Sequence, residues 1–158
     1  MMYELTALAA GLLPFERPRY LMGVGRPEDL IEAVGRGVDL FDCVLPTRNA
    51  RNGQCFTGDG PLVIKQAQYA RDARPLEEGC ACYTCRRFCR AYLRYLFVSD
   101  ELLVYRLLTL HNLHFFLGLM AAMRAAIAAG TLGRLRAQFL DRYQVPAGPD
   151  EAVASSPE

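Results

Sequence analysis

The sequence predicts an α/β fold, and three observations support that class. Two apolar segments separated by a short helical pattern occupy residues 20–45, which is the order of a βαβ unit. A turn between β-prone residues follows near residue 59, and the chain beyond residue 90 is typical of helices. A length of 158 residues is enough for one domain with a core of its own.

The composition is that of an ordinary globular protein, with 52% hydrophobic and 22% charged residues and a net charge of +1. It excludes a disordered chain and a strongly basic nucleic-acid-binding domain. Lys65 is the only lysine among 18 basic residues, so the rest are arginine. A biased genome would explain that preference, but arginine also suits phosphate groups and base edges, and both explanations stay open.

The first elements are a helix and a strand. Residues 1–14 are apolar, but Glu4 and the lack of a basic residue before Arg17 do not fit a signal peptide, so we expect a helix. Residues 20–24 form the first predicted strand, which ends at Gly25.

A second helix and a second strand complete the predicted βαβ unit. Pro27 suits the first position of a helix, and Gly35 and Gly37 end it. The next strand covers residues 38–45 and is closed by Pro46, and the two strands are expected to be parallel neighbours.

The second half of the chain is predicted as a hairpin followed by helices. An Asp-Gly turn at Asp59 connects two β-prone runs. Ser99 is a suitable N-cap for a long helix, and the last helix covers residues 132–143. The apolar stretch at residues 115–130 contains Arg124 and is too short to span a bilayer, so no membrane contact is expected.

The strongest chemical signal is a cluster of cysteines. Cys80, Cys82 and Cys85 form a C-x-C-x-x-C motif, which with one histidine makes the tetrahedral Cys3His set of a structural zinc site. His111 is the preferred fourth ligand because a distant ligand would tie the cluster to the following helix. Cys89 and His114 remain alternatives on spacing alone. This use of cysteine also indicates the cytoplasm, a reducing compartment.

A carboxylate within the second predicted strand is the other candidate functional group. Asp42 shares a strand face with Leu40 and Val44, and aspartate is rarely buried there without a partner. An ion pair with an arginine would explain it. Its place near the carboxyl end of a parallel strand instead favours a general base, a metal ligand or a nucleophile.

Two neighbouring segments could contact an anion. Residues 46–54 are predicted as a polar loop with Arg48 and Arg51, residue types that read phosphates and base edges. Residues 23–25 are not a dinucleotide fingerprint, because Glu28 stands where a glycine is required. Backbone amides of this turn remain available to a phosphate.

Three motifs occur in order along the chain: RYLMGVG at residues 19–25, FDCVLPTRNARNG at 41–53, and the cysteine motif at 80–85 followed by His111 and Asn112. With them the chain resembles the bacterial tRNA-guanine transglycosylases, also called queuine tRNA-ribosyltransferases, from about residue 12 to residue 143.

The resemblance implies a division of the chain. Residues 1–55 would be the last βαβ portion of a TIM (β/α)8 barrel, strands seven and eight. Residues 56–112 would be an inserted zinc-binding subdomain with the hairpin, and 113–145 the C-terminal helices. Residues 146–158, rich in Pro, Ala and Ser and acidic, read as a disordered tail.

The resemblance also implies the chemistry. The family exchanges guanine at the wobble position of a tRNA anticodon for a 7-deazaguanine precursor of queuosine, and it acts as a homodimer. Asp42 would be the catalytic nucleophile, and Tyr20, Met22 and Gly23 would contact the base. One structural zinc ion would be bound by Cys80, Cys82, Cys85 and His111. The residues expected to contact the tRNA anticodon loop are Gly23, Val24, Gly25, Arg26, Pro27, Glu28, Asp29, Thr47, Arg48, Asn49, Ala50 and Arg51.

The chain departs from the family in length, because a whole barrel needs about 250 residues. We therefore expect a C-terminal portion of the glycosyltransferase that is inactive alone, since the family's general base comes from earlier strands. A truncated, non-catalytic module that binds RNA or mediates dimerisation through the zinc subdomain is the alternative. The strand carboxylate Asp42 favours the enzyme, because a binding module would not need it.

Overall fold

The computed structural model describes residues 2–144 and has the mixed helices and strands expected of an α/β chain. The predicted tail, residues 146–158, lies outside the described residues. In chain order the elements are α1 (Met2–Leu12), β1 (Tyr20–Leu21), α2 (Pro27–Val34), β2 (Leu40–Phe41), α3 (Leu45–Arg51), β3 (Gln54–Thr57), β4 (Gly60–Val63), a 3-10 turn (Ala67–Tyr69), α4 (Tyr83–Arg87), α5 (Arg90–Val98), α6 (Leu102–Ala128) and α7 (Leu132–Arg142).

The predicted βαβ unit is present. β1 and β2 pair in parallel, with Tyr20 opposite Leu40 and Leu21 opposite Phe41. α2 connects them and begins with a proline and two acidic residues, which suit the start of a helix. Within residues 2–144 this is the one parallel pair. The barrel implied by the resemblance is therefore not contained in the described chain and remains a prediction.

Both strands are shorter than the predicted segments at residues 20–24 and 38–45. Gly23 has φ +72°, in the left-handed region that favours glycine, so the chain leaves the extended conformation directly after β1. The second strand ends at Phe41, and Val44 already has helical dihedrals as the N-cap of α3.

The segment after β2 is a helix, so the prediction of a polar loop at residues 46–54 was wrong. Pro46 opens α3 rather than closing a strand, because proline is favoured in the first helical turn. Ala50 is fully buried in the core, and this tertiary contact holds a helix that its polar composition does not suggest.

The predicted hairpin is confirmed. β3 and β4 pair antiparallel, with Thr57 opposite Gly60 across the turn that contains Asp59. Gly60 has φ +125°, which only glycine adopts without strain. The amide of Gly58 donates to the carboxylate of Glu77 at 2.7 Å and fixes the turn to the segment that leads to the cysteines.

α6 is the central helix of the chain. Its buried residues recur every three or four positions: Val104, Leu107, Leu108, His111, Asn112, Phe116, Leu119, Met123 and Ala126. By length and composition alone α6 could cross a membrane, because it begins at Leu102, well before the apolar stretch considered from the sequence. The face that carries these residues is covered by α3, α4, α5 and β3, as in a core helix.

The start of α6 differs from the prediction. Ser99 is the C-cap of α5, and Glu101 is the N-cap of α6, so Ser99 does not cap the long helix. Asp100 has φ +54° between the two helices, and its carboxylate accepts a hydrogen bond from Tyr105 at 2.5 Å. This side-chain contact stabilises an unusual conformation for a residue other than glycine.

Two hydrophobic clusters lie along α6. One joins α3, β4 and α5 to its first half, and the other joins α2 and Phe56 to its second half. α7 packs on the second cluster and is held to α2 by an ion pair between Arg136 and Glu32 at 2.6 Å. The predicted boundary between the zinc-binding subdomain and the C-terminal helices, between residues 112 and 113, falls inside α6. The division of the chain into these parts stays a prediction.

Candidate functional site

The strand carboxylate Asp42 lies directly after β2, at the carboxyl end of the parallel pair. Its side chain is exposed rather than buried in an apolar strand, because the strand ends before it. Asp42 Oδ1 accepts a hydrogen bond from the amide of Gly23 at 2.7 Å, and the Tyr20 hydroxyl lies near the same carboxylate. The ends of both parallel strands thus orient one accessible carboxylate.

The Asp42 carboxylate affects the acidity of the neighbouring Tyr20 hydroxyl. Partial desolvation, the hydrogen bond to Asp42 and its negative charge together raise the pKa of the Tyr20 hydroxyl. The phenol therefore stays protonated at neutral pH and acts as a donor toward the carboxylate. Met22 is 71% exposed beside this pair and offers an apolar surface.

The loop between β1 and α2 packs tightly on the segment that follows β2. A Cβ atom at Gly25 would lie 1.8 Å from Cys43 Sγ, so only glycine fits there. Gly25 and Pro27 are buried, whereas Arg26 is exposed and lies 3.9 Å from Glu28. Asp29 accepts a hydrogen bond from Tyr3 at 2.7 Å.

α3 presents the two predicted arginines on one face, because Arg48 and Arg51 are three residues apart on a helix. Both are exposed. Thr47 donates to the carbonyl of Val44 at 3.1 Å, and Asn49 donates to the Gln54 side chain at 2.7 Å. Ala50, which precedes Arg51, is buried in the core, so it shapes this surface without contributing a side chain to it.

The cysteines and one histidine come together at a second place. The ligand atoms of Cys80, Cys82, Cys85 and His111 all lie within 4.8 Å of one another. The distances from His111 Nδ1 to the three sulfurs are 3.9, 3.6 and 3.4 Å. A tetrahedral zinc ion bound at its usual lengths separates a sulfur and a nitrogen ligand by about 3.6 Å. The donor set and its spacing therefore fit a metal ion.

Surrounding groups orient these ligands. His111 Nε2 lies 2.8 Å from the carbonyl oxygen of Phe56, which selects the tautomer that leaves Nδ1 free to bind a metal. The amide of Cys85 donates to Cys82 Sγ at 3.3 Å at the start of α4. Thr84 is fully buried and donates to the carbonyl of Leu107 at 2.6 Å, which fixes α4 on α6.

The thiols differ in acidity. Burial raises the pKa of Cys80 and Cys85, and neighbouring sulfurs reinforce the effect at Cys85. At Cys82 burial also opposes ionisation, but the adjacent His111 ring and the hydrogen bond from the Cys85 amide outweigh it and lower the pKa to about 6. A bound cation favours the thiolate form of all three.

The structure separates the alternatives that spacing left open. Cys89 is the N-cap of α5 and His114 is exposed on α6, and neither belongs to the cluster. Sequence reasoning gave no role to Asn112 or Thr84, two fully buried polar residues near the ligands. The position of Asn112 next to His111 was the one available signal.

Comparison with known proteins shows which family the chain resembles. Among protein families, residues 1–145 match the one described as queuine tRNA-ribosyltransferase. The queuine tRNA-ribosyltransferase of Syntrophobacter fumaroxidans is 64% identical over 143 residues, which are 90% of this chain and 38% of the relative.

Two further relatives have the same name. Those of Symbiobacterium thermophilum and Moorella thermoacetica are 54% and 55% identical over 143 residues, again 90% of this chain, and 36% and 38% of their own lengths are covered. The chain thus spans somewhat more than a third of the curated relatives it matches.

Proposed function

The chain belongs to the queuine tRNA-ribosyltransferase family, and from that membership we propose that it carries the nucleophile-bearing portion of a tRNA-guanine transglycosylase. The proposed reaction exchanges guanine at the wobble position of a tRNA anticodon for a 7-deazaguanine base. The observation that carries the proposal is the exposed carboxylate of Asp42, held by the Gly23 amide at the end of a parallel strand.

In the proposed reaction Asp42 attacks C1′ of the ribose. The bond from C1′ to the guanine nitrogen breaks, and an ester bond from C1′ to the Asp42 oxygen forms. Guanine leaves with the electron pair and takes up a proton. The incoming base loses its proton, attacks C1′ and expels the Asp42 carboxylate. Two displacements at one carbon retain its configuration, as in retaining glycosidases.

Neighbouring residues would support both displacements. The Gly23 amide and the protonated Tyr20 hydroxyl stabilise the carboxylate that is released in the second displacement. Met22 is placed to pack against one face of a base. The groups that move protons to and from the bases are expected on earlier strands of the family's barrel.

The tRNA would lie across the surface next to Asp42. Arg48 and Arg51 would contact phosphates or bases around the target nucleotide, together with Arg26 and the backbone amides of residues 24 and 25. The buried residues Pro27 and Ala50 would shape this surface rather than contact RNA. A tRNA substrate also places the activity in the cytoplasm.

We propose that the Cys3His cluster binds one structural zinc ion. Four protein ligands leave no open position for water, so the ion supplies cross-linking rather than chemistry. Its ligands come from the segment before α4, from α4 and from α6, so bound metal would fix α4 and the segment before it on the central helix. The family's homodimer is the proposed assembly.

A chimera tests the function. In it, this chain replaces the matching 143-residue segment of the Syntrophobacter fumaroxidans relative. We expect tRNA-dependent exchange of labelled guanine. Asp42→Asn is expected to lower the rate at least about a thousandfold, because no other nucleophile is present to attack C1′ and displace the base. It should also abolish the tRNA–protein adduct that survives denaturation.

Asp39→Asn is the matched control. Asp39 is also exposed and lies three residues earlier, directly before β2 and thus at the opposite end of the strand from Asp42. It accepts a hydrogen bond from the amide of Arg19 at 2.8 Å. We expect it to retain exchange within about threefold. An Asp42→Asn chimera that still forms the adduct would contradict the proposal. The 158-residue chain by itself is expected to bind metal without exchanging guanine.

A further inference from the structure

Asn112 is a fully buried polar residue that no step of the proposed reaction uses. Its Nδ2 donates to the carbonyl oxygens of Pro46 at 2.9 Å and Gln54 at 3.1 Å. Its Oδ1 accepts from the amide of Phe56 at 3.1 Å. One side chain of α6 thus satisfies three backbone groups in α3 and β3, which lie 56 to 66 residues away in sequence.

Phe56, the β3 residue that donates to Asn112, also contacts the neighbouring metal ligand His111. The carbonyl oxygen of Phe56 contacts His111 Nε2, and its amide donates to Asn112. Both backbone groups of Phe56 are therefore bound by two consecutive residues of α6. A metal ion on Nδ1 fixes the His111 ring, and through the ring it fixes the position of Phe56 relative to α6.

The hydrogen bond from Asn112 to the Pro46 carbonyl reaches α3, the helix that follows the candidate nucleophile Asp42. Pro46 lies in the first turn of α3, four residues after Asp42, and the same helix presents Arg48 and Arg51. We infer that Asn112 is a positioning residue that couples the metal cluster to α3, so that metal binding sets the stability of the helix next to Asp42. The coupling is a property of the fold, and only its importance for tRNA rests on the proposed function.

Hydrogen exchange of the 158-residue chain tests the coupling without any variant. Amide exchange is measured with zinc bound and after treatment with a chelator, and α2 serves as the internal reference. We expect zinc to slow exchange in α3 at least about tenfold more than in α2, because α3 is bonded to the residue next to a ligand. Equal slowing in α2 and α3, or no slowing in α3, would overturn the inference.

Asn112→Asp separates coupling from simple stabilisation. It keeps the oxygen that accepts from Phe56 and loses the amino group that donates to Pro46. We expect the variant to bind Co²⁺ with an unchanged tetrahedral thiolate spectrum, while the metal-dependent protection of α3 falls to within about twofold of that of α2. A purely structural residue would lower protection with and without metal and leave their ratio unchanged, which would refute a coupling role.

Thr84→Val is the matched control. It removes another buried hydrogen bond beside the cluster, from Thr84 to Leu107, which does not reach α3. We expect it to keep the tenfold response of α3 to zinc. If Asn112→Asp does not fold, the comparison of the wild-type chain with and without zinc still decides the matter. Failure of guanine exchange with an intact zinc response of α3 would refute the proposed function alone.

Discussion

Gly25→Ala should displace the loop that holds the candidate nucleophile. The added Cβ would lie 1.8 Å from Cys43 Sγ and 2.4 Å from Cys43 Cβ. Non-bonded heavy atoms settle about 3.5–4.0 Å apart, so the loop between β1 and α2 must move away from the segment that follows β2 by about 1.7–2.2 Å. Overpacking of this kind lowers the free energy of unfolding by about 1–3 kcal/mol. The displaced loop also carries Gly23, whose amide binds Asp42.

Urea unfolding of the zinc-loaded chain measures this loss, and a double-mutant cycle assigns it. Cys43→Gly removes both atoms that the new Cβ would meet, so Gly25→Ala should cost less than about 0.5 kcal/mol in that background. Gly35→Ala is the control, because its Cβ would lie 3.5 Å from the nearest atoms and its φ is an ordinary −61°. Wild-type stability in Gly25→Ala, or a penalty that persists with Cys43→Gly, would refute the steric argument.

Three further predictions concern the metal, the pH dependence and the RNA surface. Cys85→Ser should weaken zinc binding by more than about a hundredfold in a chelator competition, whereas Cys89→Ser, outside the cluster, should leave it unchanged; equal effects would exclude this ligand set. Glu32 is buried, which disfavours its charge, but ion pairs with two arginines outweigh this effect and lower its pKa. The stabilisation that these ion pairs give the folded chain is therefore fully present above about pH 4.3, the pKa of an unfolded glutamate, and is lost as the pH falls through the lower pKa of folded Glu32. Unfolding free energy should therefore fall less steeply below pH 4.3 in Glu32→Gln, and parallel pH profiles would contradict this. In the chimera, replacing Arg48 and Arg51 with Gln should make the fall of the tRNA association constant with salt less steep, reducing the magnitude of the slope of log K against log salt concentration by about 1.4. An unchanged slope would exclude phosphate contacts.

Elements that depend on local signals were predictable from the sequence. The proline at the start of α2, the turn at Asp59 and the spacing of Cys80, Cys82 and Cys85 act over a few residues. Local steric and hydrogen-bonding rules decide such features, and the structure has them where they were expected.

Of the features that were missed, the helix α3 depends on distant contacts, and the start of α6 depends on an unusual backbone conformation at Asp100. α3 has a polar composition, but the burial of Ala50 and the bond from Asn112 to Pro46 hold it as a helix. Ser99 has the right residue type for an N-cap, but the left-handed Asp100 ends one helix and moves the start of the next to Leu102. No pattern within either segment contains that information.

The placement of arginines explains how a chain with a net charge of +1 could bind RNA. Arginines that pair with carboxylates in the described structure are Arg26, Arg36, Arg74, Arg90, Arg136 and Arg142. Within residues 2–144 neither Arg48 nor Arg51 has a carboxylate oxygen within 4.0 Å, and both are exposed on the helix that follows Asp42. The ion pairs of Arg90, Arg136 and Arg142 connect segments that are distant in sequence. Under the proposed function, we expect the charges of Arg48 and Arg51 to face the RNA. A local site of this kind would attract phosphate next to the candidate nucleophile without making the whole protein basic.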